Sequence, residues 1–312
     1  MRIANAPCSW GVLEFESTAL APSPAQVLDE IAATGYEGTD LGDWGFFSTD
    51  PRVLRAELDR RRLDLVGAFI DIALTNPSAH DAGAATAVRT ARLLMETALE
   101  GPYTTEAVGE IRATRPMIVL SDKTAALAAR TAKAGRITAA DGLADSDWEI
   151  VATGAEHIAR AVLDAAGVGT VFHHHCATVV ETPEEIGELM RRTSRELLEL
   201  CLDTGHATYG GGDPVALLDE YRDRIRLVHF KDCSPEIATR ARAERCDYLT
   251  AIRHGLFCEL GRGQVDFRGI LERLRASHYG GWIVVEQDVL PSMGTPAASA
   301  ARNRQFLRGL GL

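Results

Sequence analysis

Strand-like and helix-like runs alternate along the whole of this 312-residue sequence. Eight of the runs are short and almost wholly apolar, as strands buried on both faces of a parallel sheet are. They cover residues 2–6, 37–41, 63–70, 116–120, 170–174, 200–203, 225–230 and 282–286. Eight strands that alternate with helices over this length predict an α/β fold, a (β/α)8 TIM barrel, formed by a single domain over residues 1–312.

Helix boundary signals support this alternation. Proline near the start of a run and glycine after its end predict helices at residues 23–34, 50–62, 81–99, 148–166, 213–221, 267–277 and 296–310, and another that begins at Pro183. A doubly wound open sheet is the alternative fold. It is disfavoured because no Gly-x-Gly-x-x-Gly motif follows the first strand.

Two segments interrupt the regular alternation. Residues 234–263 form a helical insertion between the seventh strand and its helix, and they carry four arginines on a helix-like stretch (Arg240, Arg242, Arg245 and Arg253). The insertion is interpreted as a lid, a subunit contact or a solvated surface helix. Residues 121–146 read as a polar loop whose Lys123 and Arg136 face either a ligand or solvent.

Composition and charge exclude several classes of function. The formal net charge of -11 disfavours a protein that binds the phosphate backbone of nucleic acids. The six cysteines contain no Cys-x-x-Cys pair, which is typical of a reducing compartment. No apolar run approaches the roughly 18 residues that a membrane span needs. We therefore expect a cytoplasmic protein without nucleic-acid or membrane partners, and a homo-oligomer is compatible with these features.

Polar side chains occur where four successive apolar strands end. Glu181 follows the fifth strand, Asp203 ends the sixth, His229 lies in the seventh, and Glu286 ends the eighth. The carboxyl ends of barrel strands meet at one mouth, where the active sites of such barrels lie. Carboxylate and imidazole groups converging there predict a site for a divalent metal ion. Each residue taken alone is equally well explained as a capping acid or a core histidine.

Other polar and aromatic residues accompany this set. His206 follows Asp203 by three residues, and Lys231 shares a strand face with His229 because strand side chains alternate. The same alternation directs His173 and His175 to one side and His174 to the other, and we expect His173 and His175 to contact the substrate. Trp10, together with an aromatic loop around Trp44 and Phe46, is interpreted either as a platform for a sugar ring or as packing at the barrel mouth.

Five stretches of the chain resemble inosose dehydratases of the xylose isomerase-like barrel superfamily. They are residues 5–11 (NAPCSWG), 173–182 (HHHCATVVET), 202–206 (LDTGH), 229–232 (HFKD) and 261–267 (GRGQVDF). The resemblance covers nearly the whole chain, and the superfamily also holds sugar epimerases and endonuclease IV. The glycine that is typical after the histidine stretch is Ala177 in this sequence.

The resemblance implies a Mn²⁺ or Co²⁺ ion, with Zn²⁺ or Mg²⁺ as alternatives, bound by Glu181, Asp203, His229 and Glu286. It implies dehydration of a keto-inositol such as 2-keto-myo-inositol, or of a related ketosugar. The ion would polarise the ketone, and a nearby carboxylate or imidazole would remove the neighbouring proton. His206 or Lys231 would then protonate the departing hydroxyl.

Other functions share the first step of this chemistry or the fold. A ketose epimerase or isomerase would use Glu181 and Glu286 as paired bases and return the proton elsewhere. An abasic-site endonuclease needs a basic face for DNA, which the net charge of -11 disfavours. A barrel that binds a sugar without turning it over is the fourth hypothesis. A polyol or ketosugar is the expected small-molecule partner in the first two cases.

Overall fold

The computed structural model describes residues 1–12, 22–99, 115–288 and 294–312. The strands of its main, parallel sheet are β1 Arg2–Asn5, β2 Gly38–Thr39, β3 Asp64–Leu65, β4 Gly67–Ile72, β5 Met117–Asp122, β6 Thr170–His173, β7 Leu198–Asp203, β8 Ile225–Phe230 and β11 Trp282–Val285. Their order in the sheet is β3-β2-β1-β11-β8-β7-β6-β5-β4. The prediction that a single domain spans residues 1–312 stays a prediction.

The barrel closes through Val66, which separates β3 from β4. The amide of Val66 donates to the carbonyl of Thr39 at 2.9 Å, and its carbonyl accepts from the amide of Met117 at 3.1 Å. β3 and β4 are therefore one barrel strand that pairs with β2 along its first part and with β5 along its second. Eight strands surround the axis, and the predicted TIM barrel is confirmed.

Helices connect the strands and begin near the predicted residues. They are α1 Pro24–Thr34, α2 Pro51–Asp59, α3 His80–Leu99, α4 Ala128–Lys133, α5 Asp145–Ala166, α6 Pro183–Arg192, α7 Thr204–Tyr209, α8 Pro214–Tyr221, α9 Pro235–Glu244, α10 Tyr248–Arg253, α11 Phe267–Ala276 and α12 Pro296–Gly309. Short 3₁₀ turns lie at Pro7–Trp10, Pro77–Ala79 and Ala139–Asp141. The side chains of Ser23, Asp50 and Thr182 accept hydrogen bonds from the first turns of α1, α2 and α6.

Two short helices were not predicted. α4 lies inside the supposed polar loop of residues 121–146, and α7 follows β7 without a linker. α7 begins at once because the carboxylate of Asp203, the last residue of β7, accepts a hydrogen bond from the amide of His206 at 2.8 Å. Helices of six residues show too little periodicity to be recognised in a sequence.

The predicted insertion lies between β8 and α11 and contains α9, α10 and a two-stranded hairpin of β9 (Asp232–Cys233) with β10 (Phe257–Cys258). The Asp232 carboxylate holds the base of the insertion in place. Its two oxygens accept hydrogen bonds from the amides of Gly261, Gly263 and Val265 at 2.8–3.1 Å. This contact joins the motifs at residues 229–232 and 261–267. The insertion buries Tyr248 against the barrel mouth.

The core has two main layers. Apolar residues such as Ala4, Val171 and Leu227 fill the barrel interior, and a larger cluster lies between the sheet and the helices.

Arg242 of the insertion is half-buried and donates to the carbonyls of Gly135 and Tyr209 at 2.9 Å. Within the described part of the chain, no helix has the length and apolar character needed to cross a bilayer.

Candidate active site

Four potential ligand atoms converge at the C-terminal mouth of the barrel. They belong to His173 at the end of β6, Asp203 at the end of β7, His229 in β8 and Glu286 directly after β11, and all lie within 4.8 Å of one another. These four strands are neighbours in the sheet, and Asp203 pairs in register with His229. The fold therefore brings side chains from residues 173 to 286 to one point.

The polar atoms in this cluster are buried and largely unsatisfied. Oδ2 of Asp203 lies 3.5 Å from Nε2 of His173 and 3.9 Å from Nδ1 of His229. Nδ1 of His229 is 3.1 Å from Oε1 of Glu286. The three buried groups, Asp203, His173 and His229, nevertheless lack hydrogen bonds at these atoms because the contacts are poorly aligned. Buried polar atoms that face one another without hydrogen bonds are expected where a cation completes the site.

The donor set fits a divalent ion of borderline hardness. Two imidazole nitrogens and two carboxylate oxygens suit Mn²⁺, Fe²⁺, Co²⁺ or Zn²⁺. Ca²⁺ and Mg²⁺ instead prefer ligand sets made of oxygen atoms alone. Burial alone would raise the pKa of Asp203, but His173 and Lys231 hold that pKa below its usual value. The pKa of Glu286 is held well below its usual range by His229 and Lys231, against the effect of burial. Both carboxylates are therefore ionised at neutral pH, as ligands must be.

Main-chain contacts orient Asp203. Its Oδ1 accepts from the amide of His206, which leaves Oδ2 directed at the cluster. Its own amide donates to Nε2 of His174 at 3.2 Å. His174 is fully buried, and its ring stacks at 6.0 Å from that of His173 without lining the pocket. The middle histidine of the triplet thus supports a candidate ligand instead of facing the pocket.

Lys231 reaches the cluster from β8 and its ammonium group is surrounded by polar atoms. Its Nζ lies 3.2 Å from Oε2 of Glu286 and 3.4 Å from Oδ1 of Asp288. Burial would lower the pKa of Lys231, but Asp288 and Glu286 raise it well above its usual value. The side chain lies across Gly205, where a Cβ atom would come within 2.7 Å of Cγ of the lysine. This close approach explains the glycine in the motif at residues 202–206.

His206 lies behind Lys231. The amide of Cys176 donates to Nδ1 of His206 at 3.3 Å, so the proton of the neutral ring is on Nε2. Nε2 is 3.3 Å from Nζ of Lys231. Burial, with His175 and Lys231 nearby, holds the pKa of His206 well below its usual value. A neutral imidazole therefore faces the lysine.

His175 has one ring nitrogen available for a proton. Its Nδ1 donates to the carbonyl of Cys176 at 2.7 Å, which leaves Nε2 unprotonated in the neutral ring. Nε2 lies 3.4 Å from the hydroxyl of Tyr248 in the insertion. Burial and His173 hold the pKa of His175 well below its usual value.

A pocket opens beside the cluster. Its wall is formed by polar side chains from strand ends and the insertion together with apolar residues of the first loops, namely Ala6, Pro7, Cys8, Val12, Asp40, Gly42, Asp43, Phe69, Thr124, His173, His175, Lys231, Tyr248, Glu286 and Asp288. Three predicted substrate or catalytic residues, His173, His175 and Lys231, thus line one pocket with Glu286. His206 does not line the pocket itself but contacts two residues that do, Lys231 and His175.

Glu181 lies elsewhere, and its predicted place in the ligand cluster needs correction. Its Oε1 accepts from the amide of Gly135 at 2.7 Å, and its Oε2 accepts from the amide of Ala177 at 2.8 Å. Both oxygens are therefore used by backbone amides. Burial raises the pKa of Glu181 to about 7, although the two amides act in the opposite direction. His173, predicted to contact substrate, occupies the fifth-strand position in the cluster instead.

Trp10 is also not placed in the pocket. Its indole N–H donates to Oε2 of Glu30 in α1 at 2.6 Å, and the ring is fully buried. Trp44 is exposed and stacks under the guanidinium of Arg89, 4.1 Å from its ring centroid. The interpretation of these tryptophans as packing and surface residues fits the structure better than a sugar platform.

The sequence did not reveal several pocket residues, among them Asp40, Tyr248 and Asp288. Asp40 directly follows β2, so the strand-end rule applied to the later strands would have found it. Asp288 lies two residues beyond Glu286, and the same rule extended by two residues would have included it. Tyr248 comes from the insertion, and nothing in the sequence indicates which insertion residue faces the barrel.

The xylose isomerase-like TIM barrel family model matches residues 28–310. The chain belongs to this family. It is 34% identical to an inosose dehydratase of Geobacillus kaustophilus (strain HTA426) over 306 residues, which are 98% of this chain and 93% of that protein. An inosose dehydratase of Lacticaseibacillus casei is 28% identical over 307 residues, 98% of this chain and 96% of that protein.

Solved structures share the fold at lower identity. A probable 3-DHS dehydratase from Bacillus anthracis gives a TM-score of 0.67 at 15% identity, and the match covers 99% of both chains. D-psicose 3-epimerase from Clostridium cellulolyticum H10 gives 0.67 at 14% identity, again with 99% of both chains covered. At such identities the likeness shows the xylose isomerase-like fold and leaves the reaction to the site residues.

Proposed function

We propose that this member of the family is a metal-dependent lyase that dehydrates a keto-inositol, 2-keto-myo-inositol or a related ketosugar. The observation that carries the proposal is Lys231, a buried ammonium group that lines the pocket and adjoins the candidate metal cluster at Glu286. Near-full-length similarity to inosose dehydratases supports the substrate class. Glu286, His229 and Asp203 remain the proposed ligands, and His173 replaces Glu181 as the fourth.

The bound ion would supply Lewis acidity, which polarises the ketone and stabilises the negative charge that develops on its oxygen. We propose Mn²⁺ or Co²⁺, with Zn²⁺ and Mg²⁺ as alternatives, since the mixed nitrogen and oxygen set favours borderline ions. His174 and the amide of His206 hold Asp203 in place for this ion. Such supporting contacts typically change metal affinity by about 10–100-fold.

His175 is the proposed general base. Its Nε2 carries no proton in the neutral ring, lies 3.4 Å from the hydroxyl of Tyr248 and belongs to a residue that lines the pocket, so it can accept the proton on the carbon next to the ketone. The electrons of that C–H bond move to the carbonyl group. The hydrogen bond from Nδ1 to the carbonyl of Cys176 stabilises the imidazolium that forms.

Lys231 is the proposed general acid. It gives a proton to the β-hydroxyl as the carbon–oxygen bond breaks, and the oxygen leaves as water. The amine that remains has a lone pair directed to the N–H of His206, 3.3 Å away, which stabilises the neutral lysine. His206 therefore acts on the proton donor and does not contact the leaving group.

A sugar epimerase or isomerase is the alternative, and the structural likeness to D-psicose 3-epimerase motivates it. It was predicted to use Glu181 and Glu286 as paired bases. Glu181 binds two backbone amides and does not line the pocket, so this pair is not formed. An unprotonated imidazole and a protonated ammonium group suit elimination, because one group can accept a proton and the other can donate one.

The proposal is tested by incubating the Mn²⁺-loaded protein with 2-keto-myo-inositol in D₂O and following the products by NMR. Loss of water with formation of a dione is the expected result. Deuterium uptake without loss of water would establish the epimerase instead. Absence of either reaction would overturn the keto-inositol assignment.

Lys231→Met tests the acid in the same assay. We expect kcat to fall by about 10²–10⁴-fold, the usual contribution of a general acid. Lys123→Met is the matched control, because Lys123 also follows a barrel strand but is more than half exposed and lies outside the pocket. Unchanged turnover by Lys231→Met would remove the lysine from the mechanism.

A further inference from the structure

Asp40 is a buried carboxylate in the pocket to which the proposed reaction gives no role. Only 3% of the residue is exposed, and its Oδ1 has no hydrogen-bond partner in the described part of the chain. A buried and unpaired carboxylate is costly, so such a group usually has a function.

The main chain presents Asp40 rigidly. Its carbonyl accepts from the hydroxyl of Thr39 at 3.0 Å, and the amide of Leu41 donates to the carbonyl of Gly67 at 2.8 Å. The carboxylate adjoins Gly67, where a Cβ atom would lie 3.5 Å from Oδ1, an ordinary contact distance. The side chain is therefore held at the end of β2 by its neighbours and not by contacts of its own.

Asp40 enters the pocket from the side of the barrel opposite Asp203. β2 and β7 are separated by three strands in either direction around the barrel, so Asp40 lies across the axis from Asp203, whereas Glu286 follows β11, which only β1 separates from β2. A ligand that touches Asp203 with one edge would meet Asp40 with the other. An anionic carboxylate in this place accepts hydrogen bonds from hydroxyl groups and repels phosphate or carboxylate substituents.

We propose that Asp40 is a specificity-determining residue that accepts hydrogen bonds from a hydroxyl group on the edge of a neutral polyol ring remote from the ketone. This inference rests on the proposed function for the orientation of the ring. It assigns the pocket to uncharged polyols and assigns one ring hydroxyl to the carboxylate.

Binding measurements separate this inference from the reaction. Calorimetry with the Mn²⁺-loaded wild type, Asp40→Asn and Asp40→Ala would use myo-inositol and a series of monodeoxy-inositols, none of which contains the ketone. We expect Asp40→Ala to weaken myo-inositol binding by roughly 10–100-fold, the usual worth of a hydrogen bond to a charged group. One monodeoxy compound should bind the wild type and Asp40→Ala equally, because it lacks the hydroxyl that Asp40 binds.

Two comparisons keep the test decisive. Asp164→Ala, an exposed aspartate on α5, should bind every compound as the wild type does. Asp40→Asn keeps the size of the side chain, so it should fold like the wild type and show an intermediate loss. Equal weakening of all the monodeoxy compounds by Asp40→Ala, or no weakening at all, would overturn the role of Asp40. Failure of the wild type to bind any polyol would instead overturn the proposed function.

Discussion

Two glutamates near the barrel mouth, the buried Glu181 and the partly exposed Glu286, have opposite kinds of neighbours. The oxygens of Glu181 accept hydrogen bonds from backbone amides at 2.7 and 2.8 Å. Those of Glu286 lie 3.1 and 3.2 Å from the side-chain nitrogens of His229 and Lys231. A carboxylate that backbone amides already satisfy has little capacity left for an ion, whereas one that faces side chains across a pocket can take part in binding and chemistry.

The two sites also differ in what they connect. Glu181 joins the turn at Gly135 to the loop after β6. Arg130 holds the same loop, because it donates to the carbonyl of Thr178 at 2.7 Å and is fixed by two hydrogen bonds to Glu185 at 2.7 and 2.8 Å. The side chain of Glu286 reaches from the end of β11 to His229 and Lys231, at and just beyond the end of β8. One region therefore fixes the loop that carries His175, and the other provides groups for the substrate and the ion.

The largest expected difference between them is in metal binding. Glu286→Gln removes an anionic ligand from the cluster, so we expect it to lose bound Mn²⁺ on dialysis and to retain little activity. The loss of affinity should exceed the roughly 10–100-fold that an outer contact contributes. Metal content by inductively coupled plasma mass spectrometry measures this directly.

Glu181→Gln is the matched variant, with the same chemical change in the other region. We expect it to keep its Mn²⁺, because neither oxygen of Glu181 faces the cluster. Equal loss of metal from both variants would show that Glu181 controls the ion, as the sequence resemblance implied, and the distinction between the two regions would fail.

A smaller difference is expected in stability. The side-chain NH₂ group of Gln cannot accept a hydrogen bond, whereas both oxygens of Glu181 keep acceptor lone pairs even when the carboxyl group is protonated, so in Glu181→Gln one buried backbone amide loses its acceptor. We expect a loss of about 1–3 kcal/mol in the free energy of unfolding at pH 5, measured by urea denaturation. Glu149→Gln, on the exposed face of α5, should show no comparable loss.

The stability loss in Glu181→Gln should depend on pH. Burial raises the pKa of Glu181 to about 7, so the folded protein binds more protons than the unfolded chain between roughly pH 4.5 and pH 7. The contribution of Glu181 is therefore full at acid pH and is lost as pH rises through 7. The difference between wild type and variant should shrink from pH 5 to pH 8 by at most about 3 kcal/mol. A difference that grows with pH would contradict the raised pKa.

This comparison also explains which parts of the site could be predicted from the sequence. Asp203, His229 and Glu286 lie in or directly after strands, and the barrel geometry alone brings strand ends together. Glu181 lies eight residues beyond the end of β6, so its direction depends on the loop backbone and on the amide of Gly135, which is 46 residues away in the sequence. Such a contact leaves no periodic signal.

A strand end is not sufficient evidence either. Asp122 ends β5, but its carboxylate accepts from the amides of Leu74 and Val179 at 3.0 and 3.2 Å and so supports loops. His173 ends β6 and belongs to the cluster, although it was predicted to contact substrate. Residue position could be predicted from the fold, whereas the role of each carboxylate depends on which backbone amides lie within its reach.

The smallest expected effect is at Ala177, which replaces the glycine typical of this position. Ala177 has φ = 67°, in the left-handed region that costs a residue with a Cβ atom about 1–2 kcal/mol. Ala177→Gly relieves this strain but loses a buried methyl group, worth about 0.8 kcal/mol, and gains about 0.5–1 kcal/mol of unfolded-state entropy. We therefore expect the free energy of unfolding to change by less than about 1 kcal/mol.

The metal content of Ala177→Gly should equal that of the wild type, because the amide of residue 177 can still donate to Glu181. Ala177→Val provides the contrast, since a β-branched side chain at positive φ is strongly strained, and it should unfold at clearly lower urea concentration. If Ala177→Gly lost its metal while remaining folded, the loop held by Glu181 would be part of the ion site. Retention of metal by the glycine variant, together with a destabilised valine variant, would mean that this loop supports the fold and that Glu286 and its neighbours bind the ion.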